Sequence, residues 1–371
     1  MQEMRNLETT IGKMPRVQLI AGPTPIERLL RIEKSLGNAL NGVRLFVKRD
    51  DVMGLGGGGN KLRKLEFLIG DAKSKGADTI ITVGGRQSNH ARLTTAAAAR
   101  YGLACELMLA QVVPRKSRDY QLSGNILLDQ LFGARIHDLP GSADVLEHAH
   151  ARAELLRAQG RTVYVAPTGG SSPTGCLGYA VCAQEITAQS RSMGIKFDRI
   201  VVPNGSSGTH AGLAAGFIAL GLSPLIVRSF SVLASEQDSH NATVEKTRAT
   251  LSLLKEQLSF DPSEIDVVDS ERGPGYGEPT ISMMSALRLM AGCEGLLLDP
   301  VYSGKAFAGL LADIRAGAFT AGQNILYIMT GGTPGLFAYQ TELANLKHGR
   351  ARSHSQKEVC RVPPSNERDR R

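Results

Sequence analysis

The feature of this sequence that most constrains its fold is an alternation of short apolar runs with longer amphipathic segments. Several of the apolar runs lead into glycine-rich turns, and helix-length segments follow those turns. This order is typical of βα units, which build a mostly parallel sheet covered by helices. The pattern predicts strands at 45–48, 79–83, 105–109, 163–166, 199–203, 225–232 and 325–329. It predicts helices at 61–74, 90–101, 175–190, 210–220, 279–290 and 304–316.

We therefore assign the chain to the α/β class. Its 371 residues exceed the usual size of one hydrophobic core, which favours two domains. The five cysteines are scattered without a C-x-x-C pair, which argues against a disulfide framework and against a metal site. Because the sequence also lacks a long apolar run, we predict a cytoplasmic protein without a signal peptide or a membrane span.

The basic charge of the chain is concentrated near its end. Residues 347–371 hold eight basic and three acidic side chains, so they carry +5 of the net charge of +8. The segment contains Pro363 and Pro364 and few apolar residues, which predicts a disordered basic tail, and we place its start at residue 341. Since the rest of the chain is nearly neutral, we predict no nucleic-acid partner.

The strongest phosphate-binding pattern is a turn between a predicted strand and a predicted helix. Its residues are Gly205, Ser206, Ser207, Gly208 and Thr209. Small residues let successive backbone N–H groups point at one anion, and the N-terminus of the helix adds positive potential. A tight loop capped by a serine would give the same pattern without a ligand. Ligands gather at the carboxyl ends of parallel strands, so we expect this turn to meet those at 56–59, 84–85, 169–170 and 331–332 in one cleft.

Lys61 follows a glycine run at the start of a predicted helix. Burial and positive potential at that place lower the pKa of a lysine and favour the neutral amine, which suits Schiff-base chemistry. A solvated surface lysine is the alternative. Two nucleotide-binding motifs do not fit this segment. The G-x-G-x-x-G match at 54–59 is separated from its strand, and Leu62 stands where a Walker A loop needs a hydroxyl.

A second polar segment follows the predicted strand 79–83. Gln87, Ser88 and Asn89 come at the start of a predicted helix, where their side chains and the backbone N–H groups suit a carboxylate and a phenolic oxygen. Ser88 could instead serve only as the N-cap of that helix.

Six segments occur in the order found in one enzyme family. They are 59–66, 87–90, 205–212, 276–277, 299–305 and 330–332. On these segments, and over about residues 15–340, the chain resembles the D-cysteine desulfhydrase and 1-aminocyclopropane-1-carboxylate (ACC) deaminase family. This family is part of the tryptophan synthase β-like, fold type II group of pyridoxal-phosphate enzymes.

The resemblance implies two three-layer α/β/α domains with mostly parallel twisted sheets and the cofactor in the cleft between them. Residues 1–56 and 174–340 would form the larger, cofactor-binding domain, and residues 57–173 the smaller one. The resemblance also implies a homodimer, a small amino-acid substrate and pyridoxal 5′-phosphate as cofactor, with no metal.

Catalytic roles fall, by the same resemblance, on Lys61, Ser88, Tyr276 and Tyr302. Lys61 would carry the cofactor as a Schiff base and move the substrate Cα proton. The other residues implied in cofactor binding are Lys64, Asn89, Gly205, Ser206, Ser207, Gly208, Thr209 and Thr330. Asn89 would contact the 3′-oxygen of the cofactor and Thr330 its ring nitrogen. The residues implied in substrate binding are Asn60, Gln87, Ser88 and Ser303.

Two positions separate the branches of the family. Deaminases carry Glu and Leu where this chain has Ser303 and Thr330, as desulfhydrases do. The resemblance therefore implies α,β-elimination on a small amino acid, D-cysteine first, giving pyruvate, ammonia and hydrogen sulfide. ACC deamination is one alternative. Arg86, where many relatives are apolar, favours a second alternative, a substrate with another anion such as cysteate. A non-catalytic binding protein would not need Lys61.

Overall fold

The structure is a computed structural model that describes residues 2–254 and 258–345. Its strands are Ile26–Arg28 (β1), Arg44–Arg49 (β2), Thr79–Gly85 (β3), Ala104–Ala110 (β4), Arg135–Leu139 (β5), Val163–Ala166 (β6), Arg199–Asn204 (β7), Val227–Ser231 (β8), Asp266–Val268 (β9) and Asn324–Met329 (β10).

The α-helices of the described residues alternate with these strands. They are Gln2–Ile11 (α1), Leu30–Leu36 (α2), Lys61–Ser74 (α3), Asn89–Tyr101 (α4), Arg118–Leu122 (α5), Asn125–Leu131 (α6), Val145–Ala158 (α7), Pro173–Met193 (α8), Gly208–Ala219 (α9), Glu236–Leu253 (α10), Ile281–Glu294 (α11), Ser303–Arg315 (α12), Pro334–Ala338 (α13) and Gln340–Asn345 (α14). Every strand and helix predicted above matches one of these elements, with ends displaced by at most four residues.

The strands form two sheets. The larger has the order β1-β2-β10-β7-β8-β9 and the smaller the order β5-β4-β3-β6. All neighbouring strands are parallel except β1, which runs antiparallel to β2 at the edge of the larger sheet. The α/β class with mostly parallel sheets is therefore confirmed. The chain leaves the larger sheet after β2, completes the smaller one and then returns, while the division into domains at residues 57 and 173 remains a prediction.

The elements that the pattern missed are short or polar. Strands β1 and β9 have three residues each, and three of the five residues of β5, at the edge of the smaller sheet, are polar. Helix α10 buries Thr243, Thr247 and Thr250, whose hydroxyls donate to carbonyls one turn earlier. Because the hydroxyls of these threonines are hydrogen-bonded within the helix, the threonines can be buried in the core. The sequence of α10 therefore lacks the regular spacing of apolar residues that marks a buried helix face.

Close packing of α3, α8 and α9 brings the two sheets together. A Cβ on Gly178 in α8 would lie 2.1 Å from the carbonyl oxygen of Arg63 in α3. A Cβ on Gly212 in α9 would lie 2.2 Å from the carbonyl oxygen of Cys176 in α8. The two glycines thus allow backbone contact between the helices that lead away from Lys61 and from the turn 205–209.

A buried network of charges fixes the first turn of α3. Arg63 donates two hydrogen bonds to Asp50, of 2.8 and 2.9 Å, and another of 2.8 Å to Glu185. Lys48 forms an ion pair with Glu185, and the Tyr179 hydroxyl donates to Asp50 at 2.7 Å. The network ties the helix that begins at Lys61 to strand β2 and to helix α8.

The predicted tail starts later than residue 341. Helix α14 covers residues 341–345 because the backbone N–H of Thr341 donates to Asp119 and Glu342 pairs with Arg115. The prediction was wrong for these five residues, and the remainder of the tail, 346–371, lies outside the described residues. Among the helices that the structure describes, none is long and apolar enough to cross a membrane.

Candidate active site

A cavity of about 230 Å³ lies at the carboxyl ends of strands from both sheets. Three of the five glycine turns, at 84–85, 169–170 and 205–208, contribute to its wall. The residues predicted for the site that line it are Asn60, Lys61, Ser88, Asn89, Gly205, Ser206, Ser207, Gly208, Thr209, Tyr276, Tyr302 and Thr330. The three that do not are Lys64, Gln87 and Ser303.

The turn between β7 and α9 forms a cradle for an anion. Ser207 has left-handed backbone angles (φ 66°), which the Asn204 side chain supports by accepting the Ser207 N–H at 3.1 Å. The N–H groups of Thr209 and His210 lie in the first turn of α9, where no carbonyl of the helix can accept them. Since a Cβ on Gly208 would lie 2.4 Å from the Ser171 hydroxyl, only glycine keeps this cradle open.

Lys64 lies behind the cradle with its side chain fully buried. Its amine donates to the Ser171 hydroxyl at 2.9 Å and to the Gly169 carbonyl at 3.3 Å. No carboxylate among the described residues pairs with it. Burial, together with the nearby Lys61 amine, holds the pKa of Lys64 well below its usual value. A buried lysine in this position gains a counter-charge only when an anion occupies the cradle. The sequence did not indicate Ser171. Its hydroxyl lies 2.7 Å from the Ser206 hydroxyl and so connects Lys64 with the cradle.

Lys61 is the first residue of α3 and projects into the cavity. Its amine lies 3.3 Å from the Asn60 side-chain oxygen and 5.8 Å from the centre of the Tyr302 ring. Burial lowers the pKa of Lys61 from 10.5 to about 8, although the Asp299 carboxylate acts in the opposite direction. An appreciable share of neutral amine is therefore present at physiological pH, as the sequence predicts.

Two tyrosines cover the cavity near Lys61. The hydroxyls of Tyr276 and Tyr302 are 2.6 Å apart, and burial raises the pKa of both, so both stay protonated at neutral pH. The loop that carries Tyr276 is held by the Lys305 amine, which donates to the carbonyls of Arg272 and Gly275. Only one of the two hydroxyls can donate to the other, so the second proton remains available to a ligand.

The polar segment at the start of α4 divides into two parts. Ser88 lines the cavity and is also the N-cap of the helix, because its hydroxyl accepts the Ala91 N–H at 3.1 Å. Asn89 lines the cavity as well. Gln87 does not, since its amide donates to the carbonyls of Tyr120 and Ser123 and accepts the Asn125 N–H. The Gln87 side chain is held by these contacts, and its role in receiving the substrate carboxylate stays a prediction.

Ser303 is likewise turned away from the cavity. Its hydroxyl donates to Asp299 at 2.6 Å and accepts the Asp299 N–H at 2.7 Å, and the residue is fully buried. Asp299 also accepts the N–H groups of Val301, Tyr302 and Ser303. Ser303 therefore supports the turn that places Tyr302, and its contact with substrate stays a prediction. Asp299, which the sequence did not single out, is the carboxylate that acts on Lys61.

Arg86 does not offer a free guanidinium to the cavity. It pairs with Asp138 and donates to the carbonyl oxygen of Gln121 at 2.9 Å. The residue is 8% exposed and is not part of the cavity wall. Arg86 therefore does not favour a substrate with a second anion.

Comparison with known proteins decides what this site serves. Residues 17–331 match the model of a family described as pyridoxal-phosphate dependent enzymes. The chain belongs to this family. Among curated relatives, the D-cysteine desulfhydrase of Serratia proteamaculans is 40% identical over 91% of the chain and 100% of its own length. That of Yersinia enterocolitica is 41% identical over 91% of the chain and 99% of its length.

Solved structures agree with the family. The crystal structure of an ACC deaminase homologue is 38% identical, with a TM-score of 0.81 over 92% of this chain and 99% of that one. Threonine deaminase isoform 2 from Solanum lycopersicum is 17% identical, with a TM-score of 0.62, and shows the fold alone. The cofactor is accordingly pyridoxal 5′-phosphate. The residues present fit it, because the cradle of α9 and buried Lys64 suit its phosphate and an amine of lowered pKa lies in the same cavity.

Replacing Lys64 with methionine should weaken the binding of pyridoxal 5′-phosphate at least about tenfold, because a charge-assisted contact to the phosphate is lost. Binding of pyridoxal, which lacks the phosphate, should change little. Titration of both ligands, followed by absorbance, measures the difference. Lys75→Met, at an exposed site just beyond the same helix, is the matched control. Equal weakening for both ligands would show that Lys64 acts on the fold and not on the phosphate.

Proposed function

We propose that this protein catalyses the α,β-elimination of D-cysteine, in which D-cysteine and water give pyruvate, ammonia and hydrogen sulfide. The observation that carries the proposal is the identity of 40–41% to D-cysteine desulfhydrases over at least nine-tenths of the chain. The cavity adds an amine, a phosphate cradle and two protonated tyrosines within one enclosed site.

Lys61 provides the covalent attachment and the base. Pyridoxal 5′-phosphate, when bound, supplies an electron sink for the electron pair left at Cα when its proton is removed. The Lys61 amine would hold the cofactor and would accept that proton. The neutral form that burial favours is the form that can accept it. Asn89 and Thr330, which both line the cavity, hold the cofactor ring in our proposal.

The tyrosine pair acts where the sulfur leaves. Tyr302 lies 5.8 Å from the Lys61 amine, measured to its ring centre, so both residues face the same part of the cavity. One hydroxyl of the pair keeps a proton that it does not share, and it can donate this proton to the departing thiolate. Thiolate is a good leaving group, which limits what the protein must supply at this step.

The substrate carboxylate binds, in our proposal, at the start of α4. Ser88 and Asn89 line this part of the cavity, where the Ser88 hydroxyl proton and the free N–H groups in the first turn of the helix are hydrogen-bond donors for an anion. The Asn60 side chain, which donates to Thr209 at 3.3 Å, also lines the cavity.

ACC deamination is the second candidate, favoured by the solved ACC deaminase homologue at 38% identity. Ser303, where the deaminases of the family carry Glu, argues against it, because the chain lacks at that position the carboxylate that would help to keep a ring nitrogen protonated. Cysteate is no longer favoured, since Arg86 pairs with Asp138.

We further propose a homodimer in the cytoplasm. Exposed Leu131 and Phe337, on the neighbouring helices α6 and α13, support an interface between copies.

The product balance tests the reaction. With D-cysteine as substrate, pyruvate, ammonia and sulfide should appear in equal amounts, and D-serine should react more slowly because hydroxide is a poorer leaving group than thiolate. L-cysteine and cysteate, each assayed at the same concentration, serve as the matched substrates. Release of sulfite from cysteate at a rate above that of sulfide from D-cysteine would contradict the proposal.

A further inference from the structure

Asn125 lies outside the cavity, and both the oxygen and the nitrogen of its side-chain amide make hydrogen bonds. Its oxygen accepts the Arg92 Nε–H at 2.7 Å. Its nitrogen donates to the Gln87 carbonyl oxygen at 2.9 Å and to the Asn89 side-chain oxygen at 3.0 Å. The residue is completely buried, so water cannot replace any of these partners.

The two ends of the Asn125 amide cannot be exchanged. Arg92 can only donate, so it requires the oxygen of Asn125, and the Gln87 carbonyl can only accept, so it requires the nitrogen. In this orientation the NH₂ group of Asn125 faces Asn89, so the side-chain oxygen of Asn89 accepts its hydrogen bond. The NH₂ group of Asn89 is thereby turned away from Asn125.

The backbone around Asn125 allows this close approach. Gly124 has a positive φ of 64°, and a Cβ at that position would lie 2.7 Å from the Gln87 side-chain oxygen and 2.8 Å from the Pro334 carbonyl oxygen. Arg92, which donates to the Asn125 oxygen, also donates to the carbonyls of Gly56 and Gly58 in the turn before Lys61. One network therefore joins the turn that leads to Lys61 with Asn89 in the cavity wall.

We propose that Asn125 is a positioning residue that fixes Asn89 as a hydrogen-bond donor toward the 3′-oxygen of pyridoxal 5′-phosphate. The inference deepens the proposed function and rests on the role given there to Asn89. A donor at that oxygen stabilises its ionised form, which changes both the strength of cofactor binding and the absorption spectrum of the bound cofactor. Asn125 itself touches neither cofactor nor substrate.

Asn125→Asp tests the proposal, because aspartate has the shape of asparagine but only accepts. It would draw the NH₂ group of Asn89 toward itself and leave the Asn89 oxygen facing the cofactor. We expect about a tenfold loss of cofactor affinity and a shifted absorption maximum of the holoenzyme. Gln130→Glu, the same chemical change at an exposed site of helix α6, is the matched control and should alter neither quantity.

A double variant separates positioning from a general effect on the fold. In an Asn89→Ala background, Asn125→Asp should cause no further change in affinity or spectrum. Asn125→Ala, which introduces no charge, should give a smaller loss of affinity with the same dependence on Asn89. An unchanged spectrum and affinity in Asn125→Asp, or an equal loss with and without Asn89, would overturn the proposal.

These measurements do not depend on the substrate. If Asn89→Ala itself binds the cofactor normally, the role of Asn89 fails and the role of Asn125 fails with it. If instead D-cysteine proves not to be the substrate, the affinity and the spectrum still report on Asn125.

Discussion

Lys61→Ala should lower turnover by at least about a thousandfold, because the same amine attaches the cofactor and accepts the Cα proton. Lys61 is the one lysine of the described residues that lines the cavity, so no other amine can replace it there. Borohydride treatment of the wild-type protein, followed by peptide mapping, should place the reduced cofactor on Lys61. The variant should show no such adduct.

Lys73→Ala is the control for this variant. Lys73 belongs to the same helix but is exposed, so its removal should change neither turnover nor the adduct. Circular dichroism should show both variants folded, since Lys61 takes part in no buried ion pair of the described residues. A borohydride-stable adduct in Lys61→Ala would refute the assignment of the cofactor lysine.

The second large effect is on stability and comes from the network beneath the site. Asp50→Asn should lower the free energy of unfolding by about 3 kcal/mol, because it leaves the buried Arg63 guanidinium without its main partner. Urea denaturation measures this loss. Glu27→Gln, which removes an exposed partner of Arg49, should cost less than about 1 kcal/mol. Similar losses in the two variants would show that burial gives the network no special weight.

The same network predicts how stability depends on pH. Burial by itself raises the pKa of Asp50, but Arg63 and Lys48 outweigh it and hold that pKa below the ordinary 3.8. When folding lowers the pKa of a carboxyl group, that group stabilises the folded protein at pH values above its ordinary pKa. This stabilisation is lost as the pH falls through the lowered pKa. Below about pH 4, Asp50→Asn should therefore lose less stability than the wild type. A parallel loss in both proteins would contradict this reading.

The sequence predicted the fold class because its short apolar runs form the buried strands and its amphipathic segments form the helices between them. It could not predict α10, whose buried face includes three threonines bonded to their own helix. Lys61 and the turn 205–209 were recognisable because the chemistry of an anion and an amine requires particular residue types beside glycine. Both kinds of signal are local in the chain.

What the sequence could not show at the site is side-chain direction, which depends on distant contacts. Gln87 is turned away by the backbone of residues 120–125, and Ser303 by Asp299. Asn125 and Ser171 escaped notice because their partners lie more than thirty residues away. The position of Ser303 also matters for the family branches. A glutamate there would meet the buried Asp299, so Ser303→Glu is expected to destabilise the turn before it could alter substrate preference.

The ratio of two activities tests the proposed reaction most directly. Wild-type protein should release sulfide from D-cysteine with a kcat/KM at least about a hundredfold above that for ammonia release from ACC, which corresponds to about 2.7 kcal/mol in the transition state. Both assays use the same holoenzyme preparation, and L-cysteine is included to separate the enantiomers. Rapid ammonia release from ACC, with no sulfide from either enantiomer of cysteine, would contradict the desulfhydrase assignment and leave only the family.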